Sequence, residues 1–285
     1  VNTGDLVFEV AETTDTTVAM RVYFSNGGYI QQKYTLSPGS YVLKDDLSFV
    51  GLQDVIPAKV SNINFDWAMI VPRLEKGYKN EKQYSNLSYY YDGEKKVHQL
   101  APRRNNYADG GIPAKVRWID FKQQFFSSIV YAPNDFLSGD VTVRFSDQKE
   151  YESRNRLMTC TARMLSEISH SDDIHVPYEF YFGPNDYQGL RKLGNRYEKV
   201  IPLGGWLVGW MSRFIIIPTF RLLNRGISNF GIIILLMTIL LKLVISPLTV
   251  KSYKSSAMTQ VLKPEIDRLN AKYPKQEDAM KKQQA

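Results

Sequence analysis

The chain has 285 residues, room for about two domains of ordinary size, with 44% apolar and 13% aromatic residues. Mean hydropathy is slightly negative, which excludes a chain built mostly of membrane spans, and the aromatic content excludes disorder and coiled coil in favour of packed strands. The formal charge of +7 does not mark a nucleic-acid binder: bases and acids interleave over residues 1–200, and the bases concentrate only beside the single long apolar segment, where membrane topology is the simpler cause.

Residues 1–185 read as strand after strand. Segments 17–24 (TVAMRVYF) and 29–36 (YIQQKYTL) flank Asn26-Gly27-Gly28, a hairpin signal. Segments 84–91 and 95–100 flank Asp92-Gly93, another. Residues 116–131 hold Trp118, Phe121, Phe125 and Phe126 among polar residues, and 141–145, 157–168 and 175–182 continue the pattern. No stretch of ten or more residues here carries helical periodicity, so the expectation is a large all-β sandwich of two sheets. Asp109-Gly110-Gly111 and Gly204-Gly205 read as turns.

Beyond Phe182-Gly183-Pro184-Asn185 the texture changes. Residues 186–200 (DYQGLRKLGNRYEKV) read as a linker with a short helix. Residues 201–225 mix aromatic, basic and aliphatic side chains, with Trp206 and Trp210 four apart on one helical face, and interruptions at Arg213 and Pro218. That composition suits a helix lying in the bilayer interface, anchored by Trp206, Trp210 and Arg213.

Residues 226–250 (GISNFGIIILLMTILLKLVISPLTV) are long and apolar enough to cross a hydrocarbon core of about 30 Å, and they carry a single charge, Lys242. A charge near the middle of such a helix costs at least about 2.5 kcal/mol on insertion scales. With the span ending near Val250, Lys242 lies about 12 Å inside at 1.5 Å per residue, beyond the reach of its alkyl stem. A wet intramembrane cavity is therefore expected around it, with Thr238 one turn earlier on the same face and Pro247 kinking the helix near its exit. Residues 251–285 carry eight Lys or Arg against four Asp or Glu, which argues for a cytoplasmic end. Leu262, Ile266 and Leu269 repeat at helical spacing there, and Pro264 reads as the first turn of a new helix.

Enzymatic signatures are thin. His98, His170 and His175 have no metal-ligand spacing, the single Cys160 reads as a buried strand residue, and nucleophile-elbow, phosphate-loop and dinucleotide motifs are absent. No cofactor or metal is expected, and no enzymatic activity. The chain begins at Val1 without a signal-peptide pattern and stops at Ala285 inside a charged run, so both ends read as cuts in a longer protein.

Residues 229–258 (NFGIIILLMTILLKLVISPLTVKSYKSSAM) resemble the second transmembrane helix and cytoplasmic exit of the YidC membrane-protein insertases. The family pattern is carried by Thr238, Lys242, Pro247-Leu248-Thr249 and the basic Lys251 with Tyr253-Lys254-Ser255. Residues 260–273 (QVLKPEIDRLNAKY) are similar to the opening of the family's cytoplasmic helical hairpin, 181–194 to the close of its large periplasmic domain, and 201–223 to its interfacial helix. The resemblance implies a periplasmic, mutarotase-like β-supersandwich over 1–185 and a linker at 186–200. It further implies an interfacial helix at 201–225, a transmembrane helix at 226–250 and the start of the hairpin at 251–285, with residues 1–225 periplasmic and 251–285 cytoplasmic at a bacterial inner membrane. It implies a polar groove inside the membrane, lined by Lys242 and Thr238, that receives nascent membrane proteins without nucleotide or metal. Lys251, Tyr253 and Lys254 would contact substrate or lipid. The bilayer, Sec translocon components and the ribosome would be partners. The family's usual basic residue is Arg; Lys242 keeps the charge and loses the planar fork. Two other readings compete: a membrane-tethered carbohydrate-binding or carbohydrate-isomerising sandwich, marked by a His paired with a carboxylate in a cleft, and a single-pass scaffold whose sandwich binds a partner.

Overall fold

The computed structural model describes residues 2–57, 59–102, 106–168 and 173–272. His170, Tyr273 and the charged run 275–285 lie outside the described residues. The chain divides into two compact units, Val1–Pro202 and Leu203–Ala285.

The first unit is antiparallel β. Its strands are β1 (Glu9–Thr13), β2 (Thr17–Tyr23), β3 (Tyr29–Leu36), β4 (Val42–Val50), β5 (Asn62–Pro72), β6 (Asn86–Tyr91), β7 (His98–Leu100), β8 (Tyr107–Ile112), β9 (Val116–Lys122), β10 (Phe126–Phe145), β11 (Arg156–Glu167) and β12 (Asp173–Pro184). The Asn26-Gly27-Gly28 hairpin forms as expected, with Tyr23 opposite Tyr29 and Gly27 in the left-handed region. Asp109-Gly110-Gly111 is not a turn: all three residues sit inside β8, opposite Thr142, Val141 and Asp140. Residues 141–145 are not a strand of their own but the end of β10.

The two expected sheets exist as layers of one hydrogen-bonded network, and β10 joins them. Its first part, 126–131, pairs with β12 and β9 in the layer β1-β2-β3-β4-β12-β10-β9-β6-β7. Its second part, 136–145, pairs with β11 and β8 in the layer β5-β11-β10-β8. The strand changes layers at Asp135, which adopts φ 58°. Arg117 holds that bend, donating from Nε to Asp135 at 3.1 Å while pairing with Asp92 at 2.9 Å. Between the layers, Phe65 of β5 meets Tyr178 of β12 at 4.6 Å and Trp67 stacks on Phe121 of β9 at 4.1 Å. This interior forms the larger core.

Two short helices, α1 (Tyr78–Gln83) and α2 (Gln148–Ser153), cap the sandwich. They are too short for periodicity to reveal, and a side chain stitches them: Tyr151 donates to buried Glu81 at 2.6 Å. The segment 186–200, read as a linker with a short helix, does carry that helix, and it folds back onto the outer face of the larger layer. Asp186 caps α3 (Tyr187–Leu193), accepting from the Gly189 N–H at 2.7 Å, and a 3₁₀ turn follows at Tyr197–Val200. Leu190, Tyr197 and Val200 close a second core over Tyr90, Trp118, Ile129 and Tyr181.

The second unit is helical. Helix α4 (Trp206–Met211) runs through a π-helical turn (Ser212–Ile216) into α5 (Ile217–Asn224), and α6 covers Phe230–Lys272 without interruption. The π turn ends two residues before Pro218, which has no N–H to give the carbonyl of Phe214. Pro264 does not open a new helix; it and Pro247 both lie inside α6.

Candidate functional site

Helix α6 begins with an Asn229 cap, whose side chain accepts from Gly231 at 2.9 Å and Ile232 at 3.3 Å. Within it, Phe230–Pro247 is long and apolar enough to cross a membrane, and only 11% of that window is buried. Its buried residues among those described, Ile233 and Met237, are one turn apart and share a face. Near them, Phe230 stacks on Phe220 of α5 at 6.1 Å.

Lys242 is exposed and lies on the opposite side. At about 100° per residue, Thr238, Ser246, Thr249 and Tyr253 fall within about 40° of Lys242, while Ile233 and Met237 fall more than about 130° away. A polar stripe thus runs along one face of an otherwise apolar helix. Thr238 Oγ1 donates to Ile234 O at 2.8 Å and Thr249 Oγ1 to Ile245 O at 3.1 Å, so their lone pairs remain to accept. Pro247 lacks the N–H that would otherwise bond the Leu243 carbonyl, adding a backbone acceptor close to the charge. Ser246 was not singled out from sequence, although its spacing of four from Lys242 was the signal for it.

Lys251 and Lys254 are exposed and Tyr253 is 72% exposed, all on the continuation of α6. Tyr253 lies on the Lys242 face; Lys251 and Lys254 point away from it at the same helical pitch. In the α4–α5 segment, Trp206 is 87% and Trp210 53% exposed, and Trp210 packs on Phe214 at 6.0 Å. Arg213 lies in the π turn.

The sandwich holds pairs that sequence spacing could not show. His175 Nδ1 lies 3.3 Å from Asp46 and 3.1 Å from Ser48 Oγ. Because both neighbours address the same ring nitrogen, they do not form a nucleophile–base–acid relay. His98 pairs with Glu94 at 2.6 Å. Both histidine pairs sit on open surface, and the cleft between the β3–β4 turn and α3 contains neither. Three carboxylates are buried among the described residues, Asp45 on β4, Glu81 on α1 and Asp120 on β9; Glu81 is hydrogen-bonded, whereas Asp45 and Asp120 each have an Oδ1 lacking a hydrogen-bond partner there. Burial, with help from Asp46, raises the Asp45 carboxyl to about 7. Burial also pushes Asp120 up and its neighbour Lys122 down, against their mutual attraction. Cys160 is buried in β11, and burial pushes its thiol far above the ordinary range.

Comparison with known proteins places this arrangement. The family model described as YidC periplasmic domain matches residues 2–218, and that described as 60Kd inner membrane protein matches residues 222–285. A protein of Phocaeicola vulgatus named membrane protein insertase YidC is 34% identical over 99% of this chain and 46% of its own length. One of Bacteroides fragilis with the same name is 35% identical over 100% of this chain and 46% of its own. The chain thus spans about half the length of the curated relatives it matches. Among solved structures, a galactose mutarotase related enzyme of Lactobacillus acidophilus has a TM-score of 0.37 at 9% identity, covering 63% of this chain and 72% of that one, a likeness too slight to argue from. With one model spanning the sandwich and α4 up to the start of α5 and another spanning α6, this chain belongs to the YidC family.

Proposed function

We propose that this chain is the sandwich-and-first-groove-helix portion of an inner-membrane insertase and chaperone, which moves newly made membrane proteins into the bilayer. The observation that carries the reading is the placement of Lys242: a cation in an apolar span, on the face opposite Ile233 and Met237 and in line with Thr238, Ser246 and Thr249. A face with these groups holds water within the hydrocarbon layer, which lowers the cost of passing a polar tail. The fixed positive charge favours acidic stretches of the incoming chain, whose apolar helix then partitions into lipid.

In this reading the sandwich lies in the periplasm and the α4–α5 segment in the membrane interface, with Trp206, Trp210 and Arg213 as anchors. Residues 226–250 span the membrane, and 251–285 lead into a cytoplasmic hairpin where Lys251, Tyr253 and Lys254 meet substrate or anionic headgroups. Nascent chains and lipid are the primary partners, with Sec components and the ribosome as co-workers, and the mechanism needs no cofactor.

The test is rescue of insertase-depleted cells by the complete protein carrying Lys242→Arg, Lys242→Ala or Lys242→Glu. Lys242→Arg is expected to rescue, since the charge is retained, and Lys242→Glu to fail. Full rescue by Lys242→Glu would sink the electrostatic role.

A further inference from the structure

One end of the sandwich gathers its exposed phenylalanine side chains among the described residues. Hydrogen bonds bring the β9–β10 turn, the end of β12 and the β3–β4 turn together there: Asn185 N donates to Phe125 O at 2.7 Å and Phe182 N to Tyr41 O at 3.0 Å, while Phe126 stands opposite Pro184. The three phenylalanines of the sandwich left exposed are all at this end, Phe125 at 53%, Phe126 at 46% and Phe182 at 46%, beside Tyr41 at 57%. Adjacent to them, a mainly apolar cleft of about 350 Å³ opens between Tyr41, Tyr181, Pro184 and Leu193. Single exposed apolar side chains are ordinary, but a cluster of rings around one tip marks an interaction surface.

The charge beside the tip narrows what that surface fits. Arg191 and Lys192 end α3 next to Leu193 of the cleft, and both are exposed; Arg196 and Lys199, also exposed, follow where the segment crosses Trp118 and Tyr131, and Asp186 and Glu198 are its acids. Phenyl rings carried on a protruding turn, with Arg and Lys close by, match the layered chemistry of a bilayer surface, where rings enter the headgroup–acyl boundary and cations meet phosphate. We propose that this tip is a lipid-facing surface that seats the sandwich on a bilayer containing anionic phospholipid. The inference rests on the reading of α6 as a span: residues 203–229 tether the sandwich to that span, so a patch too small to bind from solution acts at high effective concentration.

The test uses the whole chain reconstituted into vesicles of phosphatidylethanolamine and phosphatidylglycerol that carry a doxyl-labelled quencher lipid. An environment-sensitive fluorophore is attached at Phe126→Cys or Phe182→Cys, with Val10→Cys on β1 and Ile239→Cys in α6 as controls; buried Cys160 stays unlabelled. The proposal expects probes at 126 and 182 to be quenched at least about twofold more than the probe at 10, and less so when phosphatidylglycerol is replaced by a zwitterionic lipid. Quenching at 239 with none above the Val10 level at 126 and 182 overturns it. So does a blue shift at 126 without quenching, which assigns the tip to a contact between copies of the chain. Absence of quenching at 239 overturns the span reading, and the inference with it.

Discussion

Replacing Asp45 with Asn should change how the stability of the sandwich depends on pH. Asp45 faces the interior of the larger layer, opposite Tyr34 on one side and Tyr178 on the other, and is 6% exposed. Burial raises its carboxyl from 3.8 to about 7 in the folded state. The sign follows from linkage. Between pH 4 and 7 the unfolded chain has released this proton and the folded chain still holds it, so unfolding is favoured progressively as pH rises, and the loss levels off above the folded value. A gap of about 3 pH units, at about 1.4 kcal/mol for each, sets an upper bound of about 4 kcal/mol on the stability lost. Asp45→Asn removes that titration. The amide brings two donors of its own, and leaving them unbonded costs about 1–3 kcal/mol, but that penalty does not vary with pH. The measurement is therefore the difference in unfolding free energy between wild type and Asp45→Asn at pH 4 and at pH 8, from urea titrations of the detergent-solubilised chain followed by circular dichroism at the sheet minimum. Asp120 also titrates abnormally, but it is common to both proteins and cancels in the difference. The variant should gain on wild type by about 2–4 kcal/mol between the two pH values. A difference that stays constant with pH would refute the buried, raised carboxyl.

Two further perturbations test the packing. Trp118 is fully buried, stacks on Tyr90 at 5.6 Å and donates from Nε1 to Asn195 O at 2.8 Å. Trp118→Ala should cost about 3–5 kcal/mol and loosen the 186–200 segment, read as faster tryptic cleavage after Arg191, Lys192 and Arg196; unchanged cleavage there would show that the second core does not hold the segment. Gly139 lies where β10 meets β11, and a Cβ built on it would stand 2.3 Å from Arg163 O and 2.9 Å from Met164 Cα. Gly139→Ala should lower the melting temperature by at least about 5 °C, for an overpacking cost of about 2 kcal/mol. At Gly77 the nearest atom to such a Cβ is 3.8 Å away, so Gly77→Ala serves as the mild control.

Elements whose signal is local were legible before any coordinates. The Asn26-Gly27-Gly28 turn, the strand at 157–168 and the apolar run around Lys242 each depend on residues close together in the chain, and each appears where expected. Elements defined by distant partners were not. Asp109-Gly110-Gly111 has turn composition, yet the long neighbouring β10 recruits it as a strand, because backbone pairing outweighs weak local preference. Segment 186–200 has linker texture, yet Leu190, Tyr197 and Val200 supply the apolar cover that Trp118 requires. Pro264 carries a helix-start signal, yet it stands in mid-helix.

By itself the sequence determined a β-rich unit, a membrane-length apolar helix and a lysine within it, because composition and short-range periodicity are enough to specify them. Only the tertiary structure decided which way that lysine points: Ile233 and Met237 take the buried face, and Lys242 with its stripe of hydroxyls is left on the other. It also decided that Asp45 and Asp120 are buried and that one end of the sandwich collects its exposed phenylalanines. Those outcomes depend on which strands pair and which faces become covered, and free energies of burial belong to contacts between residues far apart in the chain.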